Sequence, residues 1–211
     1  MNSVQTLSFE ADADVTATIA EVERLYGEKD LPSCLQLTDA TEPIGLDMLL
    51  ERRGYGIVSP TSVMVAAIST MQLVDEQKPD LELHTKPTQV VMNAVCDPRW
   101  TRATRDDRAQ IFARIGKPHR YALLTVDGEP AAGGLCVREG VHAGIFSMRT
   151  QLPHRGQGLA RRVFDRLVGW ARSEGAATLY LQVEDENVPA RRLYARFGLE
   201  RSHGYWYREL P

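Results

Sequence analysis

Val15, Ile19, Val22 and Tyr26 fall on one stripe, which predicts a helix over 15–26, ended by Gly27 and the turn around Pro32. Cys34-Leu35-Gln36-Leu37 marks a short strand over 33–38. Thr41-Glu42-Pro43 opens a second helix, 44–53, stopped by Gly54. The β-branched apolar run 60–68 predicts a buried strand. Residues 75–87 are polar and include Pro79 and Pro87, the pattern of a linker.

Beyond that linker the pattern predicts a strand over 88–96 and an amphipathic helix over 105–115, closed by Gly116-Lys117-Pro118. Strands 121–126 and 131–137 flank Asp127-Gly128, a strong hairpin turn. A strand over 141–150 follows the turn at Glu139-Gly140. A long helix over 159–174 places Ala160, Val163, Phe164, Leu167, Val168 and Ala171 on one face, with Gly175 past its end. Then come strand 178–183, helix 188–197 with Pro189 in its first turn, and a last strand over 204–209. Helix, strand, helix, Gly turn and strand follow in that order at both ends of the chain. Leu35-Gln36-Leu37 and Arg53-Gly54-Tyr55 parallel Leu181-Gln182-Val183 and Phe197-Gly198-Leu199. The expected organisation is an α/β (α+β) chain with a smaller αβαβ unit over 1–80 and a larger domain over 86–211.

Composition narrows the class. At 211 residues, with 43% apolar and 25% charged residues, the chain can bury a core and is not disordered. No apolar run approaches the ~20 residues of a membrane span, and residues 1–14 lack the basic cluster of a signal peptide. Cys34, Cys96 and Cys136 are odd in number and far apart, which fits a reducing cytoplasm and no disulfide framework. His84, His119 and His142 lack ligand spacing, so no metal is expected. The net charge of −3 hides an asymmetry of −10 over residues 1–85 and +7 over 86–211. Six arginines (149, 155, 161, 162, 166 and 172) face one acid, Asp165, within 149–172. An anion is expected to meet that stretch.

The address of that anion is the segment from Thr150 to Ala160, which joins a strand to the long helix. Gly156 and Gly158 permit positive φ and leave backbone N–H groups uncovered. A helix start adds unsatisfied donors and a partial positive charge. Together they make a cradle for a phosphate or pyrophosphate. Neither the dinucleotide GxGxxG nor a Walker GK[ST] is present.

Arg155-Gly156-Gln157-Gly158-Leu159-Ala160 resembles the R/Q-x-x-G-x-G/A acyl-CoA pyrophosphate signature of the GCN5-related N-acetyltransferase (GNAT) family. The next landmark also fits: strand 179–183, then Glu184-Asp185-Glu186-Asn187, Ala190, Leu193-Tyr194 and Phe197-Gly198-Leu199. The resemblance covers about residues 86–211, and the first 80 residues read as a degenerate copy of the family's second half. It implies a GNAT fold, a mixed and mostly antiparallel sheet flanked by helices, and transfer of an acetyl group from acetyl-CoA to an amine.

The resemblance also implies roles. Phe146, Ser147 and Met148 flank the thioester, with a backbone N–H there, that of Met148, facing the oxyanion. Arg155, Gly156, Gln157, Gly158, Leu159, Ala160 and Arg161 surround the diphosphate. Tyr194 protonates the leaving thiolate, a phenol of pKa ~10 serving a thiol of pKa ~8.5. Asn187 caps its helix or bonds the pantetheine arm. Some relatives carry a glutamate base on the strand before the loop, but Ile145-Phe146-Ser147-Met148 offers none. Glu184 is the candidate base, directly or through water, with Asp185, Glu186 and His203 as weaker choices. Tyr205, Trp206 and Tyr207 are expected at the acceptor pocket, and the acidic N-terminal unit is expected to form one of its walls. Transfer in a ternary complex is simpler than an acyl-enzyme on Cys136. The expected partners are acetyl-CoA and an amine acceptor, with no metal, nucleic acid or membrane, in a monomer or homodimer. A non-catalytic acyl-CoA sensor is the alternative.

Overall fold

The computed structural model describes residues 3–6, 8, 10, 12–74 and 79–211. The chain gathers into two compact units, one of residues 1–64, 183–194 and 201–211, the other of residues 65–182 and 195–200. These units do not follow a cut between 80 and 86. The C-terminal strand lies with the N-terminal segment because it completes that segment's sheet.

In the first unit, strand β1 (Val4–Gln5) runs parallel to β2 (Ser33–Thr38), and β2 pairs antiparallel with β9 (Glu200–Leu210), from Ser33↔Leu210 to Thr38↔Tyr205. The long strand β3 (Gly56–Ala67) follows β9 in the order. Helix α1 (Val15–Gly27) starts at Asp14, whose carboxylate accepts from the N–H groups of Thr16 and Ala17 at 2.8 and 3.2 Å. It buries Ile19 against Leu35 and Leu37 of β2 and against Leu46 and Leu50 of helix α2 (Leu46–Arg52). β1 is too short to carry a periodic signal, and its place is set by pairing alone.

The second unit holds β4 (Leu81–His84), helices α3 (Gln89–Val95) and α4 (Arg102–Ala113), β5 (His119–Val126), β6 (Glu129–Glu139), β7 (His142–Thr150), helix α5 (Leu159–Ser173) and most of β8 (Thr178–Glu184). Its strand order is β8-β7-β6-β5-β4, antiparallel except for β7 with β8. Asp127 (φ 52°) and Gly128 (φ 82°) make the hairpin turn between β5 and β6. Consecutive residues of a strand face opposite sides of a sheet. A Cβ on Gly133 would meet Ala94 and Val95 of α3, and one on Gly134 would meet Val163 and Leu167 of α5. The two helices therefore cover opposite faces of β6. Val163, Phe164, Leu167, Val168 and Ala171 of α5 are fully buried, which stabilises by about 1.5–3 kcal/mol for each larger side chain.

Two sequence expectations fail in this unit. Residues 88–96 form a helix, not a strand, because Thr88 caps it, accepting from the Val91 N–H at 3.5 Å, and Val91, Met92, Ala94 and Val95 are buried at helical spacing. Part of the expected linker is β4, which the hydrogen-bonded register Leu81↔Leu124 to His84↔Tyr121 pulls into the sheet. Residues 75–78 of that linker lie outside the described residues.

Candidate active site

Strand β7 is regular only at its start. It pairs with β8 from His142↔Thr178 to Ile145↔Leu181, and residues 146–150 lie beyond that register. Against β6 the pairing steps from Leu135↔Phe146 to Gly133↔Arg149, so β7 carries one extra residue opposite Gly134. The extra residue is a β-bulge, and Ser147 holds it with φ 51°, a conformation that non-glycine residues rarely adopt. Met148 turns its sulfur toward Gly134, where an added Cβ would lie 2.4 Å from Sδ. Phe146 meets Tyr180 edge to face at 6.0 Å. The residues expected beside a thioester thus occupy the one re-aimed stretch of the strand. Nothing in the residue types Ser-Met announces a bulge.

The loop after β7 opens with a 3-10 turn, Leu152–His154. Arg155 folds back so that its Nε donates to the Thr150 carbonyl at 3.3 Å, and the Gln157 amide donates to the Pro153 carbonyl at 3.2 Å. Gly156 (φ 76°) and Gly158 (φ 78°) are left-handed, and a Cβ at either would meet nothing within 4 Å. Glycine is required there by the dihedral angle, not by crowding. The N–H groups of Gly156, Gln157, Gly158, Leu159 and Ala160 donate to no backbone carbonyl among the described residues, and α5 begins without a side-chain cap. Five adjacent donors at the positive end of a 15-residue helix are the chemistry that suits an anion.

Arg161 does not face these donors. Its Nε donates to both carboxylate oxygens of Asp165 at 2.8 and 2.7 Å, its Nη2 donates to the Gln72 carbonyl, and its guanidinium lies 4.8 Å from the Phe197 ring centroid. Leu159 is buried under the helix start. Arg155 is the exposed cation of the loop itself.

The other expected residues belong to the first unit. Tyr194 on helix α6 (Val188–Arg196) is 9% exposed, and burial pushes its phenol up to about 12. It is held protonated at neutral pH, the state a proton donor needs. Asn187 caps α6, its Oδ1 accepting from the Ala190 N–H at 3.2 Å. Glu184 is exposed at the end of β8. Its neighbour Asp185 is the fixed carboxylate: the Ser62 hydroxyl, 1% exposed, donates to Oδ1 at 2.5 Å, and the Asp185 N–H donates to the Pro60 carbonyl at 2.8 Å. Ser62 carried no sequence signal, since it stands 123 residues from its partner. Of the aromatic trio on β9, Trp206 donates to Asp47 at 2.8 Å and packs on the core of the first unit, while Tyr205 and Tyr207 meet edge to face at 5.7 Å. Cys136 is fully buried, and burial pushes its thiol up to about 12, far from a nucleophile's range.

Residues 81–199 match the family model described as Acetyltransferase (GNAT) family. The chain is 27% identical over 193 residues to the "Uncharacterized N-acetyltransferase YobR" of Bacillus subtilis (strain 168), covering 89% of this chain and 77% of that protein. Among solved structures it resembles a GCN5-related N-acetyltransferase from Sphaerobacter thermophilus, with a TM-score of 0.71 at 20% identity, covering 93% of this chain and 68% of that one. A second, from Kribbella flavida, gives a TM-score of 0.62 at 18% identity, covering 93% and 75%. No helix among the described residues is long and apolar enough to cross a membrane.

Proposed function

Since the chain belongs to the GNAT acetyltransferase family, we propose that it transfers an acetyl group from acetyl-CoA to a primary amine of a small molecule or peptide, by direct attack in a ternary complex. The observation that carries this reading is the run of five N–H groups, Gly156 to Ala160 at the start of α5, that donate to no backbone carbonyl among the described residues. A diphosphate presents oxygens at that spacing and carries the charge that the helix end favours. Arg155 adds a cation at the rim.

Strand β7 then sets the acyl end. Residues 146–150 offer a strand edge on which the amides of an extended arm can pair as an added strand. Phe146, Ser147 and Met148 flank the reacting carbonyl, and the Met148 N–H stabilises the negative charge that develops on its oxygen. Tyr194 gives its proton to the departing thiolate, and Asn187 positions the helix that carries it. Glu184 accepts the proton of the incoming ammonium directly or through water. Asp185, fixed by Ser62, is the competing carboxylate.

The test uses purified protein, acetyl-CoA and a panel of amines, with free thiol as the readout. Thiol release that depends on the amine supports the reading, and absence of acetyl-CoA binding in calorimetry sinks it. A non-catalytic acyl-CoA sensor would bind acetyl-CoA and release no thiol with any amine. Glu184→Gln and Asp185→Asn then separate the two carboxylates, because loss of the base moves the acid limb of the pH profile and loss of a structural group does not.

A further inference from the structure

The second unit holds a cavity of about 370 Å³ on the flank of α5, within the size range of small-molecule sites. Its floor is the stripe Arg166, Gly169, Trp170 and Ser173, spaced as one helix face. Leu73 and Leu83 form its apolar wall. Gly158 and Gly169 are eleven residues apart, which puts the cavity about 16 Å along the helix from the phosphate loop.

Three features of this cavity fit a ligand. The Arg166 guanidinium lines the cavity, and its Nε, itself buried, has no hydrogen-bond partner among the described residues. A guanidinium N–H without an acceptor is costly, and the planar fork of an arginine matches a carboxylate. Gly169 sits in mid-helix, where glycine is the poorest residue after proline, yet an added Cβ there would meet nothing within 4 Å. No packing reason excludes alanine, so the bare backbone leaves room over the floor. The charge is also unbalanced. Among the described residues, Arg166 and Arg172 line the cavity with one acid, Asp165, and that carboxylate already accepts from Arg161 twice and from the Val74 N–H at 3.2 Å.

We propose that this cavity is a second ligand site, for a small organic carboxylate. Arg166 takes the carboxylate, and the apolar body lies over Gly169 between Leu73, Leu83 and Trp170. The site is independent of acetyl transfer, and binding to it is measured without acetyl-CoA.

The test is calorimetric titration of the full chain with benzoate, beside benzamide, which keeps the shape and loses the charge, and inorganic phosphate, which keeps charge and loses the body. Benzoate is expected to bind, and benzamide and phosphate to bind at least about tenfold more weakly. Arg166→Gln should weaken benzoate by a similar factor, and Gly169→Leu should fill the floor and abolish binding. Circular dichroism reports whether each variant folds, and if Arg166→Gln does not, Gly169→Leu decides. Saturating coenzyme A should leave benzoate binding in place. No benzoate binding to the unmodified protein, equal binding of benzamide or phosphate, binding unchanged in the folded variants, or displacement by coenzyme A would each overturn the proposal.

Discussion

Arg208 closes a two-pronged ion pair on Asp47, its Nε and Nη2 each 2.8 Å from a different carboxylate oxygen. The guanidinium is 4% exposed and also donates to the Tyr55 carbonyl at 3.1 Å, while Trp206 shares the same carboxylate. The pair ties α2 to β9, and so joins the two ends of the sequence within one unit. Asp47→Ala should lower stability by about 2 kcal/mol in urea unfolding. That is below the 3–5 expected for a fully buried pair, because water reaches the Asp47 side, 38% exposed. The Arg208 hydrogen bonds hold the Asp47 carboxyl below its ordinary 3.8. Stabilisation is therefore full above that value and is lost as pH falls through the lower folded value. The gap between the unmodified protein and Asp47→Ala should shrink on acidification; a gap independent of pH would show that the charge plays no part.

Gly158→Ala tests the phosphate loop. The new Cβ meets nothing within 4 Å, so the whole cost is the left-handed dihedral, about 1–2 kcal/mol. Thermal unfolding should fall by only a few degrees. Acetyl-CoA affinity should fall by about tenfold or more, because relaxing φ re-aims the N–H groups of the loop. Equal affinity in a folded variant would mean that the loop does not hold the diphosphate.

The loop was legible because its geometry requires glycine, and so was α5, whose buried face is a clean helical stripe from Val163 to Ala171. Residues 88–96 carry a strand-like pattern in Val90, Val91, Val95 and Cys96, while the capping hydroxyl of Thr88 decides for a helix. The bulge at Ser147 was invisible, since a serine at φ 51° is imposed by the pairing of β7 with β6 and not by its own preference. Arg161 looked like a loop cation from spacing alone. Its partner Asp165 lies one turn ahead, and its other partner, the Gln72 carbonyl, lies 89 residues away. The i,i+4 spacing to Asp165 is a local pattern, but a backbone carbonyl 89 residues away is not written in one.

Gly134→Ala links packing to chemistry. Its Cβ would lie 2.4 Å from the Met148 sulfur and 3.1 and 3.3 Å from Leu167 and Val163. Overpacking of this kind costs about 1–3 kcal/mol, and the flexible thioether gives way first. The shift falls on the residue whose N–H is proposed to face the acyl oxygen. Turnover should drop about 10-fold or more with acetyl-CoA affinity nearly kept, since one misaligned oxyanion donor can cost 10²–10³ in rate. Parallel losses in binding and turnover would place the damage elsewhere.

Tyr194→Phe separates a proton donor from a core tyrosine. Removing the donor should lower turnover by about 100-fold while acetyl-CoA binding persists. A second readout is independent of activity. Burial pushes the phenols of Tyr55, Tyr121 and Tyr194 up to about 12. Unfolded tyrosines release their protons near pH 10, while the folded chain keeps these three until about 12, so in that window the unfolded state binds fewer protons and stability falls as pH rises. Each group contributes at most about 1.4 kcal/mol per pH unit. Urea unfolding followed from neutral pH to beyond 10 should show a slope shallower by up to that amount in Tyr194→Phe, with no difference at neutral pH. An identical alkaline slope in both proteins would mean that the Tyr194 phenol titrates as it does in the unfolded chain, and would remove the case for a proton held ready there.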